Sequence, residues 1–201
     1  MFRGLDRSFA RALEREGIQV QIGDAIKTVL FRRKRDNADG GDWIDVYTRQ
    51  EDGFKPGNLL TVGGADYLFV QRDHRENGVY VRFNAVRCNQ TISLCKWEQS
   101  EEPNKFGEYE QYLVPYATTS AYMATQLTGL NKTAIGNVIG GNIAVIMPAY
   151  PINDNTPIQC NSFDNKSNWT PQEYTLQSYD CTDVTADAEG NISGIMRLQI
   201  K

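Results

Sequence analysis

Apolar and polar residues alternate with a period of two through most of the chain from Ile18 onward, a pattern typical of half-buried β-strands. Ile18, Val20 and Ile22 are separated by glutamines, and residues 79–84 repeat the alternation. Residues 120–127 fit either a strand or two helical turns. Further strands are predicted over 25–33, 43–48, 67–70, 143–147, 173–177 and 194–200. The fold class that follows is mainly β.

A period of 3.6 residues occurs near the amino terminus, where residues 5–16 place Leu5, Phe9 and Leu13 on one face. Gly17 follows in the position that commonly ends a helix. A helix of this length needs a packing partner. Two interpretations therefore stay open: the helix covers its own sheet, or Leu5, Phe9 and Leu13 dock onto a neighbouring subunit.

A break in composition divides the chain into two β regions. Residues 98–105 are polar, acidic and contain a proline, so they predict a linker. The resulting organisation is a helical arm over 1–17, a small barrel-like β domain over 18–97, and a second domain over 106–201. The second domain is expected to resemble a β-sandwich.

Composition restricts the class of protein. The chain has 201 residues, 40% of them hydrophobic, which is enough for a substantial core. A net charge of −4 argues against a dedicated nucleic-acid binder. Charged residues follow Met1 closely, and the most apolar window, 134–147, is too short for a membrane span. We therefore expect a soluble protein made in a cytoplasm, with no membrane partner.

Candidate chemistry is sparse. The four cysteines include no CxxC pair and His74 is the only histidine, so a zinc site is not expected and the thiols are predicted to be reduced. Residues 131–133 imitate the end of a phosphate-binding loop but lack its glycines. The spacing of Asp36, Asp39 and Asp42 leaves calcium as a weak alternative. No catalytic residue, cofactor or metal is predicted, so the chain is expected not to be an enzyme.

One charged cluster departs from the acidic average. Arg32, Arg33, Lys34 and Arg35 place four cations at the predicted end of a strand. Such a cluster can contact a phosphate backbone or an acidic partner ring. The alternative is a solvated strand end that nearby aspartates balance.

Residues 56–97 also resemble a known family. The segments that carry the likeness are 56–60, 64–70 and 80–97, with weaker matches at 147–148, 156–158 and 190–199. They are similar to the minor structural proteins found between portal and tail in tailed phages of Gram-positive bacteria. Asn58, where the family often has aspartate, and the inserted pair Cys95 and Lys96 depart from the pattern.

The resemblance implies a virion protein of the head-to-tail connector, of the stopper or head-closure type, assembled in the bacterial cytoplasm. It implies a homo-oligomeric ring that contacts the portal or adaptor ring, the tail proteins and, non-specifically, the packaged double-stranded DNA. Alternatives are another tail structural protein, such as a tail terminator or tail-tip module, and a carbohydrate-binding β-sandwich. The last would need exposed aromatic residues, whereas Trp43 and Trp97 lie in predicted strands and are expected in the core.

Overall fold

The computed structural model describes residues 3–22, 25–33, 42–73, 78–124, 142–161 and 171–201. It confirms the predicted fold class: a mainly β protein with one short amino-terminal helix, a nearly closed barrel-like sheet and a second, curled sheet. Within these ranges no helix has the length and apolar character needed to cross a bilayer.

The amino-terminal helix, α1 (Arg3–Glu16), packs on the outside of the first sheet. Phe9 and Leu13 bury their side chains against Leu30, Tyr47 and Tyr80. The ring centroids of Phe9 and Tyr80 are 5.0 Å apart. The helix ends where predicted, because the Gly17 amide donates to the Leu13 carbonyl at 2.9 Å.

The first sheet has six strands among the described residues. They are β1 (Ile18–Ile22), β2 (Ala25–Arg33), β3 (Trp43–Arg49), β4 (Leu59–Val62), β5 (Ala65–Arg72) and β6 (Tyr80–Arg87). They are antiparallel in the order β1-β2-β3-β6-β5-β4. The edge strands β1 and β4 approach each other, so the sheet nearly closes around a core that includes Val46, Phe69 and Phe83.

The second sheet contains the remaining strands. They are β7 (Gln90–Gln99), β8 (Gln111–Ala124), β9 (Ile143–Pro148), β10 (Ile158–Asn161), β11 (Pro171–Tyr174), β12 (Leu176–Asp180), β13 (Val184–Ala186) and β14 (Ile192–Ile200). The strand order is β11-β10-β7-β8-β9-β14-β12, and β13 pairs with β14. Of the ambiguous segment 120–127, residues 120–124 are strand, and 125–127 lie outside the described residues.

The two sheets share a core. Successive residues of β9 point to opposite faces of the curled sheet. Val145 and Met147 therefore pack into the core of that sheet, while Ala144 and Ile146 face the first sheet. Trp43 and Tyr122 meet edge to face between the sheets, with ring centroids 6.4 Å apart. Because this contact layer is apolar and fully packed, the sheets stabilise each other.

Polar contacts fix the passage from one sheet to the other. The Asn89 side chain pairs with the backbone of Met123, accepting from its amide and donating to its carbonyl, each at 2.8 Å. The Ser120 hydroxyl donates to Asp66 at 2.5 Å. The change of sheet therefore falls at residues 88–89. The predicted linker, 98–105, joins β7 to β8 within one sheet, since Gln99 pairs with Gln111 across it.

Two glycines allow the loop before β4 to contact the backbone of β14 closely. A Cβ atom on Gly57, which has a φ of 90°, would lie 1.9 Å from the Gly194 carbonyl oxygen. A Cβ atom on Gly194 would in turn lie 2.0 Å from the Asp183 carbonyl oxygen. The loop before β4 is thus pressed directly onto the backbone of β14, and no side chain fits between them.

Candidate assembly surfaces

The basic cluster begins at the end of β2. The Arg32 guanidinium forms an ion pair with Glu16 of α1, at 2.6 Å, and both side chains are about half exposed. Arg33 is the last residue of the strand. Lys34 and Arg35, like Asp36 and Asp39, lie outside the described residues. The first cation of the cluster, Arg32, is therefore already paired with a carboxylate of the same chain.

The three residues predicted to dock a neighbour lie in different environments. Phe9 and Leu13 are buried beneath α1, whereas Leu5 is 38% exposed. Docking through Phe9 or Leu13 would require the helix to leave its own sheet. In the structure α1 therefore covers the sheet of its own chain, which is the other of the two interpretations that the sequence left open.

The most prominent surface is a two-stranded arm, which we define as residues 96–114. β10 pairs with β7 only over residues 92–94, and β9 pairs with β8 only over 122–124. In the part of the chain that the structure describes, residues 96–99 and 111–114 consequently pair only with each other. Two strands without a covering layer expose both faces to solvent, and the arm projects beyond the shared core.

A bulge marks the base of the arm. Leu94 pairs with Ala117 but Cys95 pairs with Pro115, which leaves Tyr116 as the extra residue. Proline lacks an amide hydrogen and is tolerated at such irregular positions. The Cys95 amide instead donates to the Pro157 carbonyl at 2.9 Å, so the base of the arm is attached to the segment before β10.

The loop at the tip of the arm is held by its own hydrogen bonds. The Asn104 side chain accepts from the amides of Phe106 and Glu108, at 2.9 and 3.1 Å. The Ser100 hydroxyl oxygen accepts from the Glu110 amide at 3.0 Å. Gly107 supplies the positive φ that the turn requires, at 80°. These bonds preorganise the tip, so little conformational entropy is lost if it binds a partner.

The arm combines aromatic residues with negative charge. Trp97 and Phe106 are 56% and 77% exposed, and Tyr109 and Tyr112 are about half exposed. Residues 98–110 hold five glutamates and one lysine, which equals the net charge of −4 of the whole chain. The rest of the molecule is therefore electrically balanced. Exposed aromatic side chains at this density are typical of protein or ligand interfaces.

The sequence did not reveal this arm. Trp43 is buried, as predicted, but the same prediction for Trp97 is wrong. The acidic segment that suggested a linker is the tip of the arm. The signal that could have identified it is the combination of Phe106, Tyr109 and Tyr112 with glutamates in a segment bounded by two strands.

Burial shapes the chemistry of the thiols and of one carboxylate in the part of the chain that the structure describes. No group of three or more potential metal-binding side chains occurs among the described residues. Burial, with a contribution from Asp66, raises the pKa of Cys88 to about 12, and burial likewise raises the pKa of Cys95, Cys160 and Cys181. A protonated thiol is a poor nucleophile. The buried carboxylate of Asp45 on β3 is paired with Arg82 on the neighbouring β6 at 2.8 Å.

Comparison of the chain with protein-family models, with curated proteins and with solved structures finds no match.

Proposed function

We propose that this chain is a non-enzymatic structural protein of a tailed phage virion, a ring-forming component of the head-to-tail connector of the stopper or head-closure type. The observation that carries the proposal is the projecting arm, because its rigid tip and exposed aromatic residues suit assembly rather than catalysis. The family resemblance supports it. The residues that carry the resemblance, 56–60, 64–70 and 80–97, form β4 to β7 and the loop that contacts Gly194.

The proposed mechanism is assembly through repeated β surfaces. In a cyclic ring, each subunit presents one surface to the neighbour on one side and a different surface to the neighbour on the other. The arm is suited to reach a neighbour because both its faces are exposed. The assembled ring would contact the portal or adaptor ring above and the tail proteins below. It would seal the capsid after packaging and provide the platform for tail attachment.

The position of the chain in the particle tests this proposal. Electron cryo-microscopy of intact virions is expected to show its density between the portal and the tail tube, repeated around the axis. Density at the tail terminus or tail tip would favour the alternative tail proteins. Absence of the chain from purified virions would contradict any structural role.

The basic cluster gives a second test. If Arg33 and Arg35 face packaged DNA or an acidic neighbour, changing both to glutamine weakens an electrostatic contact and leaves folding nearly intact, within about 0.5 kcal/mol. Heads should then leak DNA or fail to join tails. A matched control changes Arg7 and Arg11, two exposed arginines of α1, to glutamine. Equal yields of infectious particles from both double mutants would show that the cluster is a solvated strand end.

A further inference from the structure

An open cleft lies beside the base of the arm. It has a volume of about 690 Å³ and lies between Trp97 and Tyr116 on one side and residues 151–157 on the other. Volumes of this size are usual for sites that hold small ligands, about 300–1,000 Å³. The buried Cys95 lies at its floor, next to Pro157. Trp97 also belongs to the arm, whereas Tyr116 and residues 151–157 have no part in the assembly role proposed above.

The aromatic wall of the cleft is exposed and fixed. More than half of the Trp97 surface is accessible, although the residue belongs to a regular strand. The Tyr116 ring is held in place because its hydroxyl donates to the Pro151 carbonyl at 2.7 Å. An indole face that remains open to water beside a fixed phenol is a preformed platform for a flat, partly apolar ligand.

The opposite wall is a rigid polar turn. The Asn153 amide donates to the Thr156 hydroxyl at 2.9 Å, and the Asn155 amide donates to the Asn153 side-chain oxygen at 3.0 Å. The Thr156 amide closes the turn onto the Asn153 carbonyl at 3.0 Å. These bonds fix the backbone, so that the side chains of Asn153, Asp154 and Asn155 are presented along the rim of the cleft.

The charge balance of the cleft favours an uncharged ligand. Lys96, which also lines the cleft, is neutralised by Glu98 at 2.6 Å. Asp154 adds one carboxylate, which hydrogen bonds with Tyr179 and raises the pKa of that phenol. Among the lining residues no unpaired cation is present to attract a phosphate or carboxylate ligand. The remaining rim groups are carboxamides, which both donate and accept hydrogen bonds.

We propose that the cleft between Trp97, Tyr116 and residues 151–157 binds a neutral saccharide. A sugar ring has an apolar face of C–H groups, which stacks on the indole of Trp97, and a periphery of hydroxyls. Adjacent hydroxyls both donate and accept, which matches the carboxamides of Asn153 and Asn155 and the carboxylate of Asp154. Such a site goes beyond an assembly role, since an isolated subunit would bind the ligand.

A proline-rich peptide is the main competitor for an aromatic cleft. Modules that bind such peptides donate hydrogen bonds from aromatic side chains to the carbonyls of the ligand. Here the hydroxyl proton of Tyr116 is already donated to Pro151, which leaves the indole N–H of Trp97 as the aromatic donor that lines the cleft. The rim also offers several side chains that pair with hydroxyl groups. These two observations favour the saccharide.

Direct binding by the purified full chain tests the site. We would screen it on an array of neutral oligosaccharides of glucose, galactose and N-acetylglucosamine, and titrate the strongest hit by calorimetry. Trp97→Ala should weaken binding about tenfold or more, because it removes both the stacked aromatic face and the apolar area that the sugar ring covers. Asn155→Ala should weaken it less. Phe106→Ala is the matched control, since Phe106 is more exposed than Trp97 but does not line the cleft.

The outcomes separate clearly. Wild-type affinity in Phe106→Ala together with loss in Trp97→Ala supports the site. Failure to bind any neutral oligosaccharide, or equal losses in both variants, would overturn it. Binding of a polyproline decamer that Trp97→Ala abolishes would assign the cleft to peptides instead. None of these results depends on where the chain lies in a virion, so they are independent of the test of the connector role.

Discussion

At the scale of single residues, the two tryptophans show what the sequence pattern can and cannot predict. Trp43 and Trp97 both lie in strands, but their exposed fractions are 2% and 56%. Strand alternation was enough to predict the core position of Trp43. The exposure of Trp97 depends on where the neighbouring strand ends, since β10 covers β7 only as far as Leu94. Periodicity within one strand carries no information about the length of its neighbour.

We expect the two tryptophans to differ sharply in their contribution to stability. Trp43→Ala should lower the free energy of unfolding by about 3–5 kcal/mol, because it removes the centre of the layer between the sheets. Trp97→Ala should change it by about 0.5 kcal/mol or less. Denaturant unfolding of both variants measures this difference. Comparable losses would show that the arm packs on the core in solution.

The thiols should differ in reactivity in the order of their exposure. Cys181 is exposed, whereas Cys95 and Cys160 are buried and the pKa of Cys88 is about 12. The thiolate is the reactive form, so Cys181 should react first with a thiol reagent at neutral pH. All four should react in denaturant without reductant. Two intact disulfides in protein from virions would contradict the expectation of reduced thiols.

At the scale of elements, the helix and most strand positions could be predicted, whereas the role of residues 98–105 could not. The prediction for 5–16 is confirmed by α1, and 143–147 and 194–200 lie in β9 and β14. Residues 173–177 divide between β11 and β12. The acidic segment 98–105 has the composition of a linker because its side chains are solvated, and composition alone does not distinguish a linker from the tip of a hairpin.

We expect α1 to stabilise the monomer through Phe9. Phe9→Ala should lower the free energy of unfolding by about 2–4 kcal/mol, since it removes an aromatic ring from the contact with Tyr80. Leu5→Ala, on the exposed part of the same helix, is the control and should cost about 0.5 kcal/mol or less. Thermal or chemical unfolding of the isolated chain provides the measurement. No loss in Phe9→Ala would support a helix that docks elsewhere.

The contact between Gly57 and Gly194 should be intolerant of any side chain. Gly57→Ala places a Cβ atom 1.9 Å from a backbone oxygen and should cost at least about 3 kcal/mol. Gly63→Ala is the matched control: Gly63 also has a positive φ, 58°, but its Cβ would meet nothing within 4 Å. The control should cost about 1–2 kcal/mol from backbone strain alone. Equal losses would mean that the sheets can separate at this point.

At the scale of the whole molecule, the fold class was predictable but the layout of the two sheets was not. Which strands pair depends on contacts between residues far apart in sequence, such as Trp43 with Tyr122, and a single chain contains no direct record of them. The candidate surfaces likewise differ in how far the sequence predicts them. Arg32 and Arg33 could be located at a strand end, whereas the cleft needs three separate segments to meet.

We expect the isolated chain to be mostly monomeric. Residues 98–110 of the arm carry a net charge of −4, so two arms repel each other, and ring formation is expected to require a template from the portal or tail. Multi-angle light scattering at physiological salt tests this directly. A stable closed ring of the purified chain would contradict the need for a template.

The strands of the first sheet come from one continuous part of the chain, so this sheet can form before the second one during synthesis on the ribosome. All its strands lie within residues 18–87, so the barrel can close while the second sheet is still being translated. At about 5–20 residues per second, the remaining strands up to the end of β14 take on the order of ten seconds to complete. During that interval the face that carries Trp43, Leu68 and Val70 has no covering layer. The nascent chain thus presents a transient apolar surface of the kind that chaperones bind.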